Sequence, residues 1–171
     1  MKAPLFNPER LRTIWSLNCG KFDYYLSKYE RNKVTINDLE LAFREINACN
    51  SKKALELLDK CSKAENAYPI AIVHYGRGCV YEDLRNDLAM AEREYEIALE
   101  GDWGVELVPC ADRLARLKAH REELEVAISL WERAAKLDPE NSSIRWNLAT
   151  ARRNVELKAG DGGSKAKTND K

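Results

Sequence analysis

Apolar residues recur every three or four positions along most of the chain, with polar residues between them. One such stripe comprises Leu39, Ala42, Phe43 and Ile46, a spacing typical of the buried face of an amphipathic helix. Because no segment keeps an apolar–polar alternation of period two, we predict no strands. The pattern predicts an all-α protein with roughly nine helices of about 10–16 residues, the last of which ends near Lys158.

Capping residues mark where several of these helices begin. Asn7 gives the first start, directly before a proline, and Asn50 gives the fourth. Asparagine caps helix N-termini, and proline suits the first helical position. We expect residues 1–34 to form an N-terminal capping pair of helices. Residues 159–171 contain almost nothing apolar, so we expect a flexible tail there.

A spacing of small residues repeats three times along the chain. A small residue is followed twelve positions later by alanine, then after four by a bulky apolar residue, and after three by another small one. Small side chains let two helices cross closely, while the bulky residue fills the space between successive helix pairs. The units are Ala42, Ala54, Leu58 and Cys61; Cys79, Ala91, Tyr95 and Ala98; and Ala115, Ala127, Trp131 and Ala134.

Two of these units resemble known helical repeats. The third resembles a tetratricopeptide repeat, with Pro139 at the end of its second helix, and the second is more similar to a Sel1-like repeat. The resemblance implies a right-handed superhelix of helix pairs, with units at about residues 35–70, 71–104 and 105–141 and a partial unit at 142–158. The Sel1-like residues are Tyr75, Gly76, Gly78, Asp87, Ala91, Tyr95, Ala98 and Gly101.

The charges balance over the whole chain but not along it. The sequence has 28 basic and 28 acidic side chains, and 44% of its residues are hydrophobic. Residues 1–34 and 142–171 each hold seven Lys/Arg and three Asp/Glu, which leaves a net charge of −8 between them. A dedicated nucleic-acid binder carries a strongly basic face, and a disordered chain has few apolar residues. The composition argues against both, and 171 residues suit one domain.

The five cysteines fall inside apolar-patterned segments and are odd in number. Secreted disulfide frameworks are usually even in number and rich in loops, so we predict reduced thiols in a cytoplasmic protein. No apolar run has the form of a secretory signal or the length of a membrane span, and we expect no membrane partner. The sequence leaves the oligomeric state open.

Side chains suited to catalysis or metal binding are sparse. The chain has only two histidines. His74 precedes Cys79 by five residues, which puts the two on different sides of a helix, and Cys110 precedes His120 by ten without a second pair. A Gly-Arg-Gly fragment lacks the strand and the further residues of a phosphate-binding loop. We therefore predict no catalytic residue, no metal site and no cofactor, in a protein that is not an enzyme.

The resemblance implies a non-catalytic interaction module that holds a peptide or helix of a partner protein in a concave groove. In the first unit the groove positions fall on Leu39, Phe43 and Ile46. Leu39 and Phe43 occupy the positions of the lysine and asparagine with which chaperone-binding relatives hold a C-terminal carboxylate. We therefore do not expect this protein to be a chaperone co-factor of that type. The later units give the candidate groove residues Val80, Asp83, Asp112, Arg116, Trp146 and Arg153.

Arg116, Trp146 and Arg153 suggest the chemistry of the partner. A tryptophan flanked by guanidinium groups offers stacking area together with bidentate binding of carboxylates. We therefore expect a protein or peptide partner with an acidic or aromatic segment. Trp146 has an alternative interpretation, in which it packs on Trp131 as part of the core.

Three further alternatives stay open on the sequence alone. Leu39 and Phe43 can pack against the N-terminal helices instead of lining a groove. The chain can be a structural subunit of a larger complex, for which an exposed Trp103 would be an anchor. It can also be an RNA-binding helical repeat, although its neutral charge argues against this function.

Overall fold

The computed structural model describes residues 33–63, 70–101, 103–104 and 107–164, which form helices joined by turns, without strands. The all-α prediction is confirmed for this part of the chain. The predicted N-terminal helices lie outside the described residues. The helices are α1 (Lys33–Asn47), α2 (Ser51–Lys63), α3 (Ile70–Cys79) with a π-helical extension (Val80–Leu84), α4 (Leu88–Ala98), α5 (Val108–His120), α6 (Leu124–Leu137) and α7 (Ser142–Ser164).

Three helix pairs, α1 with α2, α3 with α4 and α5 with α6, are each joined by a turn that contains one left-handed residue. The turn residues Cys49, Asn86 and Glu122 have φ values of 59°, 53° and 64°. After α1, the Cys49 N–H donates to the Ile46 carbonyl and the next N–H donates to the Glu45 carbonyl, which is the Schellman arrangement of a left-handed helix end. Glu122 ends α5 in the same way, with its N–H donating to the Ala119 carbonyl.

The residue after each left-handed position begins the second helix of the pair. The Asn50 side-chain oxygen accepts from the Lys53 N–H at 3.4 Å, and the Asp87 carboxylate accepts from the Met90 N–H at 3.1 Å. The prediction that Asn50 caps a helix is therefore confirmed. In the first two pairs, the residue after the left-handed position therefore caps the second helix with its side chain. In the third pair, Glu123 begins α6 without a side-chain capping hydrogen bond.

Every residue of the repeated spacing is buried, as helix crossings at these positions require. All twelve side chains are at most 4% exposed, and the three alanines at the second position are at 0%. Ala54, Ala91 and Ala127 lie in the second helix of each pair, where a small side chain permits close approach of the first helix. The remaining nine are Ala42, Leu58, Cys61, Cys79, Tyr95, Ala98, Ala115, Trp131 and Ala134.

The chain separates into two compact units between Leu107 and Val108, close to the predicted boundary between the second and third repeats. Unit 1 contains α1 to α4, and unit 2 contains α5 to α7. In unit 1, the Tyr75 ring lies 6.2 Å from Phe43 and 6.1 Å from Tyr95 between centroids. Trp103 is 7% exposed, so the interpretation of this residue as an exposed anchor is wrong.

In unit 2, α6 packs on both α5 and α7. Asn141 caps α7, since its side-chain oxygen accepts from the Ile144 N–H at 3.3 Å. The helix continues to Ser164, beyond the predicted end at Lys158, so residues 159–164 of the predicted flexible tail are helical. Residues 165–171 of that predicted tail lie outside the described residues. Extending an existing helix needs no new nucleus, which explains why the apolar pattern places its end too early. No helix in the described residues combines the length and the apolar character that crossing a bilayer requires.

Candidate functional site

Unit 2 has a groove between α5 and α7, with α6 beneath it. This groove, called the unit 2 groove below, has a volume of about 340 Å3. A second hollow of about 360 Å3 adjoins it and shares Ala119, Leu124 and Asn154 with it, and Leu157 and Lys158 line its far end. The groove is lined by Arg116, Ala119, His120, Leu124, Trp131, Trp146, Asn147, Thr150, Ala151 and Asn154.

The Asp112 carboxylate organises the groove from below. Its Oδ1 accepts from Trp131 Nε1 at 2.9 Å and from Asn147 Nδ2 at 3.0 Å, and its Oδ2 lies 3.3 Å from Arg116 Nε. One carboxylate therefore joins α5, α6 and α7. Because Asp112 is already engaged by these three groups, its role is to position the side chains around the groove. The sequence instead predicts that Asp112 contacts a partner directly.

Trp146 stands on the rim of the groove and is 69% exposed, whereas Trp131 is 4% exposed. The interpretation of Trp146 as a core residue is therefore wrong. The exposure follows from helix geometry: Ile144 and Ala151 are buried and define the packed face of α7, and Trp146 lies away from that face along the 3.6-residue turn.

Of the two predicted arginines in unit 2, Arg116 lines the groove with its side chain half exposed, at 50%. Arg153 is exposed on α7 and lines neither hollow. The structure thus brings Arg116 and Trp146 together at one groove. Arg153 lies on the outer surface of α7 instead, because its position faces further from α6 than that of Thr150 or Asn154.

The predicted groove residues of unit 1 are mostly core residues. Val80 is fully buried, so its side chain packs inside unit 1 and the predicted contact with a partner is wrong. Asp83 is exposed on the π-helical extension and belongs to unit 1. Leu39, Phe43 and Ile46 are at most 9% exposed, which supports their interpretation as packing residues.

The tight packing around Gly76 explains why unit 1 is closed at these positions. A Cβ atom added to Gly76 would lie 2.9 Å from Leu58 Cδ2 and 3.4 Å from the Phe43 ring. Helix α3 therefore meets side chains of α1 and α2 at this position, one helical turn before Val80. Glycine here serves close helix approach, and the sequence pattern alone does not distinguish that role from an open surface.

Two residues that the sequence reasoning missed complete the surface of unit 2. Asn147 lines the groove and is held by Asp112, and Leu157 is 58% exposed at the far end of the adjoining hollow. Leu157 follows Trp146 by eleven residues, which is three helical turns and places both on one stripe. That spacing was a usable signal in the sequence.

Titratable side chains elsewhere form structural pairs. His74 Nδ1 lies 2.6 Å from Glu94 Oε2 between α3 and α4, and the Tyr95 hydroxyl donates to Glu82 Oε2 at 2.6 Å. In the described part of the chain, no group of three or more His, Cys, Asp or Glu side chains is placed to hold a metal ion.

Comparison with known proteins identifies no family. No protein-family model matches the sequence, and no curated protein is significantly similar to it. The resemblance to tetratricopeptide and Sel1-like repeats therefore rests on the spacing of the residues alone.

Proposed function

We propose that this chain is a protein-interaction module built from tetratricopeptide-like helix pairs, and that it binds a segment of a partner protein at the unit 2 groove. The observation that carries the proposal is the pairing of Trp146, 69% exposed, with Arg116, half exposed, on the two sides of one groove. Tryptophan and arginine are the residue types most enriched at the energetic centres of protein interfaces.

The hydrogen bonds around the groove support a binding role. The Asp112 hydrogen bonds hold Trp131 and Asn147 in place before any partner arrives. A preorganised surface loses less side-chain entropy on binding, so more of the contact energy becomes affinity.

The chemistry of the rim favours an acidic or aromatic partner segment. Arg116 offers a guanidinium group for carboxylates, and the exposed indole of Trp146 offers a flat apolar face for stacking. The buried thiols Cys61, Cys79 and Cys110 suit a reducing compartment, so the proposal includes a cytoplasmic location.

Affinity capture with matched variants tests this function. Wild type, Trp146→Ala and Leu88→Ala are immobilised, and the captured proteins are compared by mass spectrometry. Leu88 is the control, since it is 44% exposed on α4 of unit 1. We expect at least one protein that wild type and Leu88→Ala retain and Trp146→Ala loses. The purified segment of that protein should bind Trp146→Ala more weakly than wild type by about 2 kcal/mol or more. Equal binding of that segment to all three proteins contradicts the proposal.

Thermal melting keeps the test interpretable. Because Trp146 is largely exposed, Trp146→Ala should melt close to wild type, as surface substitutions usually change stability by no more than about 0.5 kcal/mol. Binding of RNA to the same groove would contradict a protein partner, and it would be recognised by an affinity that falls steeply with salt.

A further inference from the structure

The exposed side of α7, from the groove residues Thr150 and Asn154 across to Ala149, carries two overlapping diamonds of side chains, each made of residues i, i+3, i+4 and i+7. Trp146, Leu157 and Arg153 are exposed, as are the smaller residues of the set except Thr150, which is half-buried. The first diamond is Trp146, Ala149, Thr150 and Arg153, and the second is Thr150, Arg153, Asn154 and Leu157.

A diamond of this kind is the hole that receives one side chain of a neighbouring helix in knobs-into-holes packing. Ala149 and Thr150 are short, which leaves room for an inserted side chain, while Trp146 and Leu157 give each hole an apolar wall. The two large residues are eleven positions apart, which is about 16 Å along the helix axis. The surface therefore matches about three turns of a second helix.

The charge of α7 selects the chemistry of that helix. From Ser142 to Ser164 the helix has four basic residues and two acidic residues, Glu156 and Asp161. Arg152 pairs with Glu132 and Lys158 pairs with Glu122. Among the described residues, no carboxylate lies within 4.0 Å of the side-chain nitrogens of Arg145 or Arg153, and Arg153 belongs to both diamonds.

Resting on the proposed function, we propose that the partner segment is an acidic amphipathic helix that lies along α7. Its apolar side chains fill the two diamonds, and its Asp or Glu side chains pair with Arg153 and Arg145. A second copy of α7 would oppose the same excess of positive charge, and residues 1–34 and 165–171 are themselves basic. Like charges placed opposite each other oppose association, so a different protein fits this face best.

Peptide display on the full chain tests the inference. One library holds three-heptad peptides with an apolar helical stripe and randomised outer positions, and the other holds linear peptides with a central proline. We expect enrichment of helical peptides rich in Asp and Glu, with helical circular dichroism that increases on binding. Two variants probe the diamonds: Ala149→Trp fills the first, and Arg153→Glu reverses the shared charge.

Each variant has a matched control that leaves the diamonds intact. Ala159→Trp makes the same change at an exposed position on another side of α7, and Arg93→Glu reverses an exposed charge on α4. We expect Ala149→Trp and Arg153→Glu to weaken binding by about tenfold or more, and the controls to bind as wild type. Circular dichroism and melting verify that all four variants fold.

The possible outcomes separate this inference from the proposed function. The selected peptides could depend on Trp146 and Arg116 but bind Ala149→Trp and Arg153→Glu as they bind wild type. That result overturns the proposal of a partner helix along α7 and leaves the proposed groove function standing. A wild-type dimer that Arg153→Glu dissociates, measured by analytical ultracentrifugation, overturns the acidic partner in favour of a second copy. If neither library yields a peptide that depends on unit 2, both proposals are overturned.

Discussion

At the scale of single residues, the left-handed positions at the ends of α1, α3 with its extension, and α5 are occupied by Cys49, Asn86 and Glu122. Glycine reaches this conformation without steric cost, whereas other residues are strained in it, asparagine least of them. The chain thus carries strain at Cys49 and Glu122 that glycine would relieve.

Replacing Cys49 with glycine should therefore stabilise the protein. The relief of strain exceeds the extra entropy that glycine gives the unfolded chain, and we expect a gain of about 0.5–1 kcal/mol in the free energy of unfolding. Urea denaturation measures it. Cys49→Val is the matched comparison and should destabilise, because a β-branched side chain fits a positive φ worst; equal stability of the two variants would rule out this explanation.

The cysteine thiols should differ in reactivity. Cys49 is exposed and Cys61 is buried, and burial, with a smaller contribution from the charge of Asp38, raises the pKa of the Cys61 thiol above its ordinary value of 9.0. Only the thiolate reacts, so iodoacetamide should label Cys49 much faster at mildly alkaline pH, as mapped by mass spectrometry. Comparable rates for both in the native protein would contradict the buried position.

The same pKa shift has a definite sign for stability. Since the folded state holds the Cys61 proton more tightly than the unfolded state, the shift has no effect well below pH 9.0. Stability should decrease as the pH rises above that value, because ionisation of the thiol then lowers the free energy of the unfolded chain.

At the scale of the helix pairs, the crossings depend on alanines with no room around them. Ala127 is 0% exposed in α6, so Ala127→Leu should force helices apart and lower the free energy of unfolding by about 1–3 kcal/mol. Ala149→Leu, at an exposed position of α7, should change it by no more than about 0.5 kcal/mol. Thermal or urea denaturation compares them, and equal effects would contradict the assigned crossing.

The three helix pairs could be predicted from the spacing of Ala54, Ala91 and Ala127, because close helix crossings tolerate only small side chains. The groove was harder to predict. Val80 and Arg116 occupy corresponding positions of the predicted register, yet Val80 is fully buried and Arg116 is half exposed. Whether a given position is open depends on neighbouring side chains, as Leu58 and Phe43 show at Gly76, and spacing along one helix does not contain that information.

At the scale of the whole molecule, the all-α class follows directly from the apolar period, but the division into two units does not. The break between Leu107 and Val108 lies near a predicted repeat boundary, where the sequence gives no sign that it separates compact units. In unit 2, α7 packs on α6 and leaves a long face in solvent. Only the combination of that packing with the sequence distinguishes the exposed Trp146 from the buried Trp131.

The short turns between helices also bear on how fast the protein folds. Within each unit, α1 with α2, α3 with α4, α5 with α6 and α6 with α7 are packed neighbours that directly follow one another in the chain. Forming such contacts closes only short loops, and domains of low contact order fold in microseconds to milliseconds. We expect refolding within milliseconds, followed by stopped flow and, for faster phases, by temperature jump, so that newly made chains spend little time with their apolar stripes exposed to other proteins.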